Sequence, residues 1–125
     1  MTDPSLEALE HMLSAWNEQD GTKLRGHLER ALTDDVHFVD PSIDLHGIDA
    51  FEQNVRSVHA RLPGARYLRT SRVDAQHNWC RYHWAIEHNG VTVIEGFDTT
   101  ELRDGRVSRV VGFFGPLRIE RSSNS

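Results

Sequence analysis

The sequence predicts an α+β fold in which three N-terminal helices pack on one face of a curved, mainly antiparallel sheet. In the first half of the chain, apolar residues recur at the 3.6-residue spacing of helices. In the second half, alternating segments are joined by Asn89-Gly90 and Asp104-Gly105, dipeptides that favour two-residue hairpins. Helices followed by hairpins bury their apolar faces most simply as two layers.

Three helices are predicted from apolar spacing and from their end signals. The first spans residues 4–18, has Pro4 in its first turn and ends before Asp20-Gly21. Thr22 is expected to cap the second helix, and the third runs from Asp49 to Pro63-Gly64. Their apolar stripes are Leu6, Leu9, Met12 and Trp16; then Leu24, Leu28, Ala31 and Leu32; then Phe51, Val55, Val58 and Leu62.

The strands are predicted from alternation and from turn residues. A short strand over residues 36–39 ends at Asp40-Pro41, and a loop follows over residues 42–47. Later strands are expected at residues 65–73, 79–87, 91–102 and 107–114, with a polar turn at residues 75–78. In the strand over residues 79–87, one face is expected to point inward, namely Cys80, Tyr82, Trp84 and Ile86.

Length and charge narrow the classes of function. The chain has 125 residues, which suits one domain over residues 1–125 with one pocket. Its net charge of −5 arises from mixed charges without a basic block, so neither nucleic acid nor a membrane is an expected partner. It shows neither a secretory leader nor an apolar run of about 20 residues. A cytoplasmic location is therefore the default expectation.

Metal and nucleophile chemistry have little support in the sequence. The eight histidines include no His-x-His or His-x3-His pair, and no Cys-x2-Cys accompanies them, so no metal site is predicted. His46, which precedes Gly47, is expected to contact the loop backbone. The single cysteine, Cys80, lies among aromatic residues in a strand, where a thiol usually only packs. No Gly-x-Ser-x-Gly elbow is present.

Two aspartates are the candidate acid/base groups. Asp98 interrupts an otherwise apolar and Thr-rich strand, and its pKa would rise if it faces the core, because burial disfavours the charged form. The alternative is a solvated strand residue or one that bonds Thr100. Asp40 precedes Pro41, where an aspartate often bonds its own turn instead of a ligand.

These segments together resemble the nuclear transport factor 2-like superfamily, most closely its SnoaL-like polyketide cyclases and ketosteroid isomerases. The resemblance rests on the Leu-x-Asp-Asp-Val-x-Phe-x-Asp-Pro pattern of residues 32–41, on His46-Gly47 before the third helix, and on Gly-x-Asp-x5-Asp-Gly-Arg-Val over residues 96–107. It covers residues 6–116 and leaves a tail at residues 117–125. It implies a cone-shaped (cystatin-like) fold with an apolar cavity open at one end.

The resemblance also implies roles for both aspartates. Asp40 matches the aspartate that shuttles the proton in ketosteroid isomerases, and Asp98 matches their hydrogen-bond donor and the acid/base group of the cyclases. Met12 stands where the isomerases have their oxyanion tyrosine, so steroid isomerisation in its usual form is not expected. Gly96 stands where limonene-epoxide hydrolases have an arginine, and the last strand has no acid, which argues against that branch.

The predicted function is a cofactor-independent proton transfer that isomerises or cyclises a small apolar cyclic or polyketide-like molecule. Asp98 and Asp40 would be catalytic. The alternative is a non-catalytic ligand-binding or dimerisation module. A homodimer is expected because Ala85, Val91, Val93 and Phe97 give the outward sheet face an apolar character. The residues expected to bind the ligand are Met12, Trp16, Tyr82, Trp84, Ile94 and Phe114.

Overall fold

The computed structural model describes residues 4–117 and 120, with side chains from residue 6 onward. Its helices are α1 (Pro4–Asn17), α2 (Gly21–Ala31) and α3 (Ile48–Arg61). Its strands are β1 (Leu32–Asp40), β2 (Ile43–His46), β3 (Arg66–Arg69), β4 (Asp74–Gln76), β5 (Trp79–His88), β6 (Val91–Arg103) and β7 (Arg106–Phe114). Of the expected tail, only residues 117 and 120 lie within the described part.

The predicted α+β architecture is confirmed, with three helices on a curved, open sheet. The strand order is β2-β1-β7-β6-β5-β3, and β4 also pairs with β5. Every pair is antiparallel except β1 with β7, which is parallel. Within the described residues, the helices fall short of the length and apolar character that crossing a bilayer requires.

Several predicted boundaries were wrong. The expected loop at residues 42–47 contains β2, and β4 (Asp74–Gln76) takes in the first two residues of the turn expected at residues 75–78. The strand predicted over residues 65–73 is only the four residues of β3. Both unpredicted strands are short and hydrogen-bond to a longer neighbour. Pairing with that neighbour, rather than local propensity, creates them.

The N-termini of two helices also differ from the prediction. Asp20, not Thr22, caps α2, because its extended backbone lets Oδ1 accept a hydrogen bond from Thr22 N over 2.9 Å. Helix α3 begins at Ile48, one residue before the predicted Asp49, and follows Gly47 with φ of 91°. That backbone conformation suits glycine.

The two predicted hairpins are present, and each carries a β-bulge. Positive φ angles at both turn residues of Asn89-Gly90 and of Asp104-Gly105 identify type I′ turns. The register shifts by one residue between Ile86 and Glu87 in β5–β6, and again between Glu101 and Leu102 in β6–β7. As a result, Asp98 lies opposite Tyr82 on one side and opposite Gly112 on the other.

The core lies between the helices and the concave face of the sheet. Phe51 of α3 is fully buried and meets the Phe38 ring edge to face, with centroids 5.1 Å apart. The largest fully buried aliphatic side chains around it are Leu9, Leu24, Leu28, Leu32, Val36, Val55, Val107 and Val110. Next to β3 and to residues 82–86 of β5, the helices and the sheet do not fill the space between them, and a cavity remains there.

Candidate active site

The cavity has a volume of about 570 Å³ and is lined mostly by apolar side chains. A volume of this size matches a small-molecule site. The six residues predicted to bind a ligand all lie on its wall: Met12, Trp16, Tyr82, Trp84, Ile94 and Phe114. Asp40 and Asp98 lie on the same wall. Helix α1 and strands β1, β5, β6 and β7 therefore converge on the predicted site.

Asp98 is held by two side chains of the neighbouring strand. Trp84 Nε1 donates a hydrogen bond to Asp98 Oδ1 over 2.9 Å, and the Tyr82 hydroxyl donates a longer one to Oδ2 over 3.4 Å. Tyr82 is the direct cross-strand partner of Asp98, and Trp84 lies two residues further along the same face. The carboxyl therefore has a fixed orientation toward the cavity.

Burial raises the pKa of Asp98 from its ordinary 3.8 to about 7. The hydrogen bonds from Trp84 and Tyr82 lower this pKa in part, and the nearby charge of Asp40 raises it further. Burial similarly raises the pKa of Tyr82 well above its usual range, so Tyr82 stays a neutral donor. Near neutral pH, Asp98 therefore exists in both its protonated and its ionised form.

Two glycines make room for this arrangement. A Cβ at Gly96 would lie 1.9 Å from the Phe113 carbonyl oxygen and 2.8 Å from Trp84 Cζ2. The missing side chain lets the Trp84 indole cross β6 and reach Asp98. A Cβ at Gly112 would lie 2.8 Å from Asp98 Oδ1 and 3.5 Å from Asp40 Cβ. Asp98 and Asp40 are thus neighbours across Gly112.

Asp40 has a turn role in addition to its place on the cavity wall. Its Oδ1 accepts hydrogen bonds from Ser42 N and Ser42 Oγ, each over 2.7 Å, and from Ile43 N over 3.1 Å. This is the turn-capping interaction that the sequence left as the alternative. Both aspartates are half-buried, but they differ in their partners: Asp40 caps a turn, while Asp98 accepts hydrogen bonds from an indole and a phenol.

Several polar residues on the wall were missed by the sequence reading. Asn54 and Arg61 come from α3, and Arg69 comes from β3, where it forms an ion pair with Glu10 over 2.5 Å. The helical spacing of Asn54, Val58 and Arg61 could have indicated that α3 turns one mixed face to the cavity. Ala85, expected on the outward face, is buried and contributes to the cavity wall.

Several histidines have local partners. His27 pairs with Glu18 over 2.8 Å, and His59 Nε2 lies 2.6 Å from the Trp16 carbonyl oxygen. His46, expected to contact the loop backbone, instead stacks on His37, with Asp44 beside both rings. The pairing of β1 with β2 brings these last three residues together.

Comparison with known proteins shows the protein family to which the chain belongs. A SnoaL-like domain family matches residues 9–110, and the chain belongs to that family. A search of curated proteins returns no match.

Solved structures agree with this fold. A candidate isomerase of the SnoaL-like family from Agrobacterium tumefaciens is 27% identical, with a TM-score of 0.83 over 90% of this chain and 98% of that one. A candidate ketosteroid isomerase from Kribbella flavida is 16% identical, with a TM-score of 0.71 over 98% and 86% of the two chains. A candidate SnoaL-like polyketide cyclase from a Jannaschia species is 13% identical, with a TM-score of 0.68 over 91% and 89%.

The raised pKa of Asp98 predicts a specific effect of pH on stability. Because the folded protein binds this proton more tightly than the unfolded chain does, ionisation of Asp98 destabilises the fold as pH rises from about 4 to about 7. The Asp98→Asn variant lacks this loss, and its amide oxygen can still accept from Trp84. Relative to wild type, its free energy of unfolding should rise by about 2–4 kcal/mol across that interval and then level off.

Urea denaturation at a series of pH values measures this difference. The matched control is Asp104→Asn, which changes an exposed turn carboxyl and keeps a residue that tolerates the positive φ of 53°. Its stability should follow the pH profile of the wild type. Parallel profiles for wild type and Asp98→Asn would show that Asp98 titrates normally.

Proposed function

We propose that this protein binds an apolar cyclic or polyketide-like molecule in its cavity and catalyses a cofactor-independent proton transfer that isomerises or cyclises it. The single observation that carries this proposal is the Asp98 carboxyl, which faces an apolar cavity of about 570 Å³ with a pKa raised to about 7. General acid–base catalysis works best when the pKa of the group lies near the working pH. Family membership and the similarity to a candidate isomerase support the same class of reaction.

In this proposal, ionised Asp98 removes a proton from a carbon next to a carbonyl group. The C–H bond breaks, the carboxyl O–H bond forms, and the electron pair moves onto the carbonyl oxygen as an enolate. Oδ2 is the expected acceptor, because its contact with Tyr82 is 3.4 Å whereas Oδ1 is held by Trp84 at 2.9 Å. Protonated Asp98 then returns the proton to another carbon, which completes an isomerisation. For cyclisation, the enolate carbon instead attacks a second carbonyl carbon: the new C–C bond forms, the C=O π bond breaks to an alkoxide, and protonated Asp98 gives its proton to that alkoxide and becomes ionised again.

Asp40 would serve as the second proton carrier. Its position across Gly112 from Asp98 and its place on the cavity wall support this role. Its three hydrogen bonds at Oδ1 hold the side chain in place. Its charge also raises the pKa of Asp98, so it would tune the main acid/base group even without carrying a proton itself.

The second candidate function is a non-catalytic ligand-binding module, and the turn-capping bonds of Asp40 favour it. An aspartate that completes a turn has a structural reason to be present. In that case the cavity would still bind an apolar molecule, and Asp98 would be a hydrogen-bonding group for a ligand hydroxyl. A direct test of proton transfer therefore distinguishes a proton-transfer enzyme from a ligand-binding module.

The test is deuterium exchange in D₂O, followed by NMR, on a panel of cyclic ketones and 1,3-diketones. Wild-type protein should accelerate exchange at the carbon next to the carbonyl. The Asp98→Asn variant should lose this rate by about 100-fold or more, because its amide cannot accept the proton. Its affinity for a planar polycyclic phenol, read from tryptophan fluorescence, should change only a few-fold.

Asp40→Asn is the matched comparison, since its amide oxygen can keep the turn bonds. A smaller loss of exchange than in Asp98→Asn would agree with a secondary role. Full exchange activity in Asp98→Asn would contradict the catalytic assignment. Phenol binding by wild type without exchange on any ketone would favour the binding module.

We also propose that two copies associate through the outer face of β5–β7. Phe97 and Phe113 stack there with ring centroids 5.1 Å apart, although Phe113 is 49% exposed. Val91 and Val93 at the hairpin end are also exposed. An exposed pair of stacked aromatic rings on an extended sheet face suits burial against another protein surface, and such a face fits a second copy of itself.

Sedimentation equilibrium tests this assembly at micromolar concentration. Wild type should sediment as a dimer, and Phe113→Asp should shift it toward monomer by placing a charge in the interface. Leu117→Asp is the control, because Leu117 is exposed but follows the end of β7. A monomeric wild type would contradict the proposal.

A further inference from the structure

The β1–β2 hairpin carries a second cluster of chemically active side chains. Phe38 and Asp40 of β1, and Ile43 of β2, line the cavity. Strand alternation therefore places His37, Asp44 and His46 on the opposite, outer face. The cluster is separate from the proposed active site and takes no part in the chemistry assigned to Asp98.

Cross-strand pairing brings the three side chains together. His37 is directly opposite His46, and Asp44 lies two residues before His46 on the same face. The two imidazole rings stack with centroids 4.1 Å apart and planes 13° from parallel. Their nitrogens therefore project in a shared region next to the carboxylate.

The donor atoms of the three side chains lie close together. Asp44 Oδ1 lies 2.7 Å from His37 Nε2 and 3.5 Å from His46 Nε2, and one donor atom from each residue lies within 4.8 Å of both others. Zinc binds imidazole nitrogen at about 2.0–2.1 Å and carboxylate oxygen at about 2.0–2.2 Å, so its ligand atoms are separated by little more than 3 Å. Rotation of the two imidazole rings out of their stacked arrangement would let both nitrogens bind one ion in their ring planes.

We propose that His37, Asp44 and His46 bind a late first-row divalent metal ion, represented by Zn²⁺, at the outer face of the β1–β2 hairpin. Two imidazoles and one carboxylate suit zinc, copper or nickel better than Mg²⁺ or Ca²⁺, which prefer an all-oxygen shell. The metal replaces the proton at each coordinating nitrogen. Water completes the coordination, because Asp44 and His46 have side chains that are 64% and 72% exposed.

An ion pair between His37 and Asp44 explains less of the cluster than a metal site does. The short contact between His37 and Asp44 accounts for two of the three residues. His46 stacks on the His37 imidazole, and its Nε2 lies 3.5 Å from the same Asp44 oxygen. Two protonated imidazoles at this separation would repel each other, whereas two neutral imidazoles can share one cation.

Metal binding would also fix the turn that carries Asp40. The ligands lie on both strands of the hairpin, and the turn between the strands contains Asp40, Pro41 and Ser42. A cross-strand metal bridge stabilises the paired register of β1 and β2, in which Asp40 is opposite Ile43. The ion would thus hold β1 and β2 together on the side of the hairpin that faces away from the cavity.

Isothermal titration of the untagged protein with ZnCl₂ tests this site. One ion should bind per chain, and MgCl₂ should give no binding. When free Zn²⁺ exceeds Kd about a hundredfold, the melting temperature should rise by about 5 °C or more. His46→Gln should lower the affinity by about tenfold or more, because one of three ligands is lost.

His77→Asn is the matched control, since His77 is an exposed histidine in the turn between β4 and β5, away from the cluster, and asparagine tolerates its positive φ of 51°. It should bind Zn²⁺ like the wild type. His46→Gln is expected to fold, because the His46 side chain is largely exposed; Asp44→Asn provides a second variant with the same expected loss. Absence of Zn²⁺ binding by wild type, or equal affinity in wild type and His46→Gln, would overturn the proposal and leave a structural ion pair.

Discussion

The hydrogen bond from the Trp84 indole to Asp98 is the interaction on which the site depends. It fixes one carboxyl oxygen on the wall of an apolar cavity, although burial alone would favour turning that group toward water. The bond requires the indole to cross β6, where only the missing side chain of Gly96 leaves space. It also requires Gly112, because a Cβ there would crowd the carboxyl. Gly96, Gly112 and Trp84 thus set the position and the hydrogen bonding of the Asp98 carboxyl.

The sequence predicted the parts of the fold that local patterns control. Helical spacing located α1, α2 and α3, and Asn89-Gly90 and Asp104-Gly105 located both hairpins. Alternation along β5 identified the face that carries Tyr82 and Trp84. The resemblance to the nuclear transport factor 2-like superfamily then implied the cone fold and the pair of aspartates. The helices, the hairpins and the alternation depend on near neighbours in sequence, so a single chain is enough to reveal them.

Features that depend on the pairing of one strand with another could not be predicted from local sequence patterns. If the β5–β6 hairpin had no bulge, its turn at Asn89-Gly90 would pair Asp98 with Arg81, and Asp98 would point to the outer face of the sheet. The bulge between Ile86 and Glu87 shifts the register by one residue, so Asp98 pairs with Tyr82 and faces the cavity. The second bulge similarly aligns Asp98 with Gly112 instead of Val111. Strand β2 escaped prediction because pairing with β1 creates it, and the His37, Asp44 and His46 cluster escaped with it.

Burial holds the Asp98 carboxyl near the midpoint of its titration at neutral pH. A ¹³C NMR titration that follows the side-chain carboxyl carbon of Asp98 tests this claim directly, with Asp98→Asn used to assign the signal. The measured pKa should be about 7, well above the ordinary 3.8. A titration midpoint near 4 would contradict it, because Asp98 would then be a permanently ionised, water-accessible group with no special capacity to exchange protons.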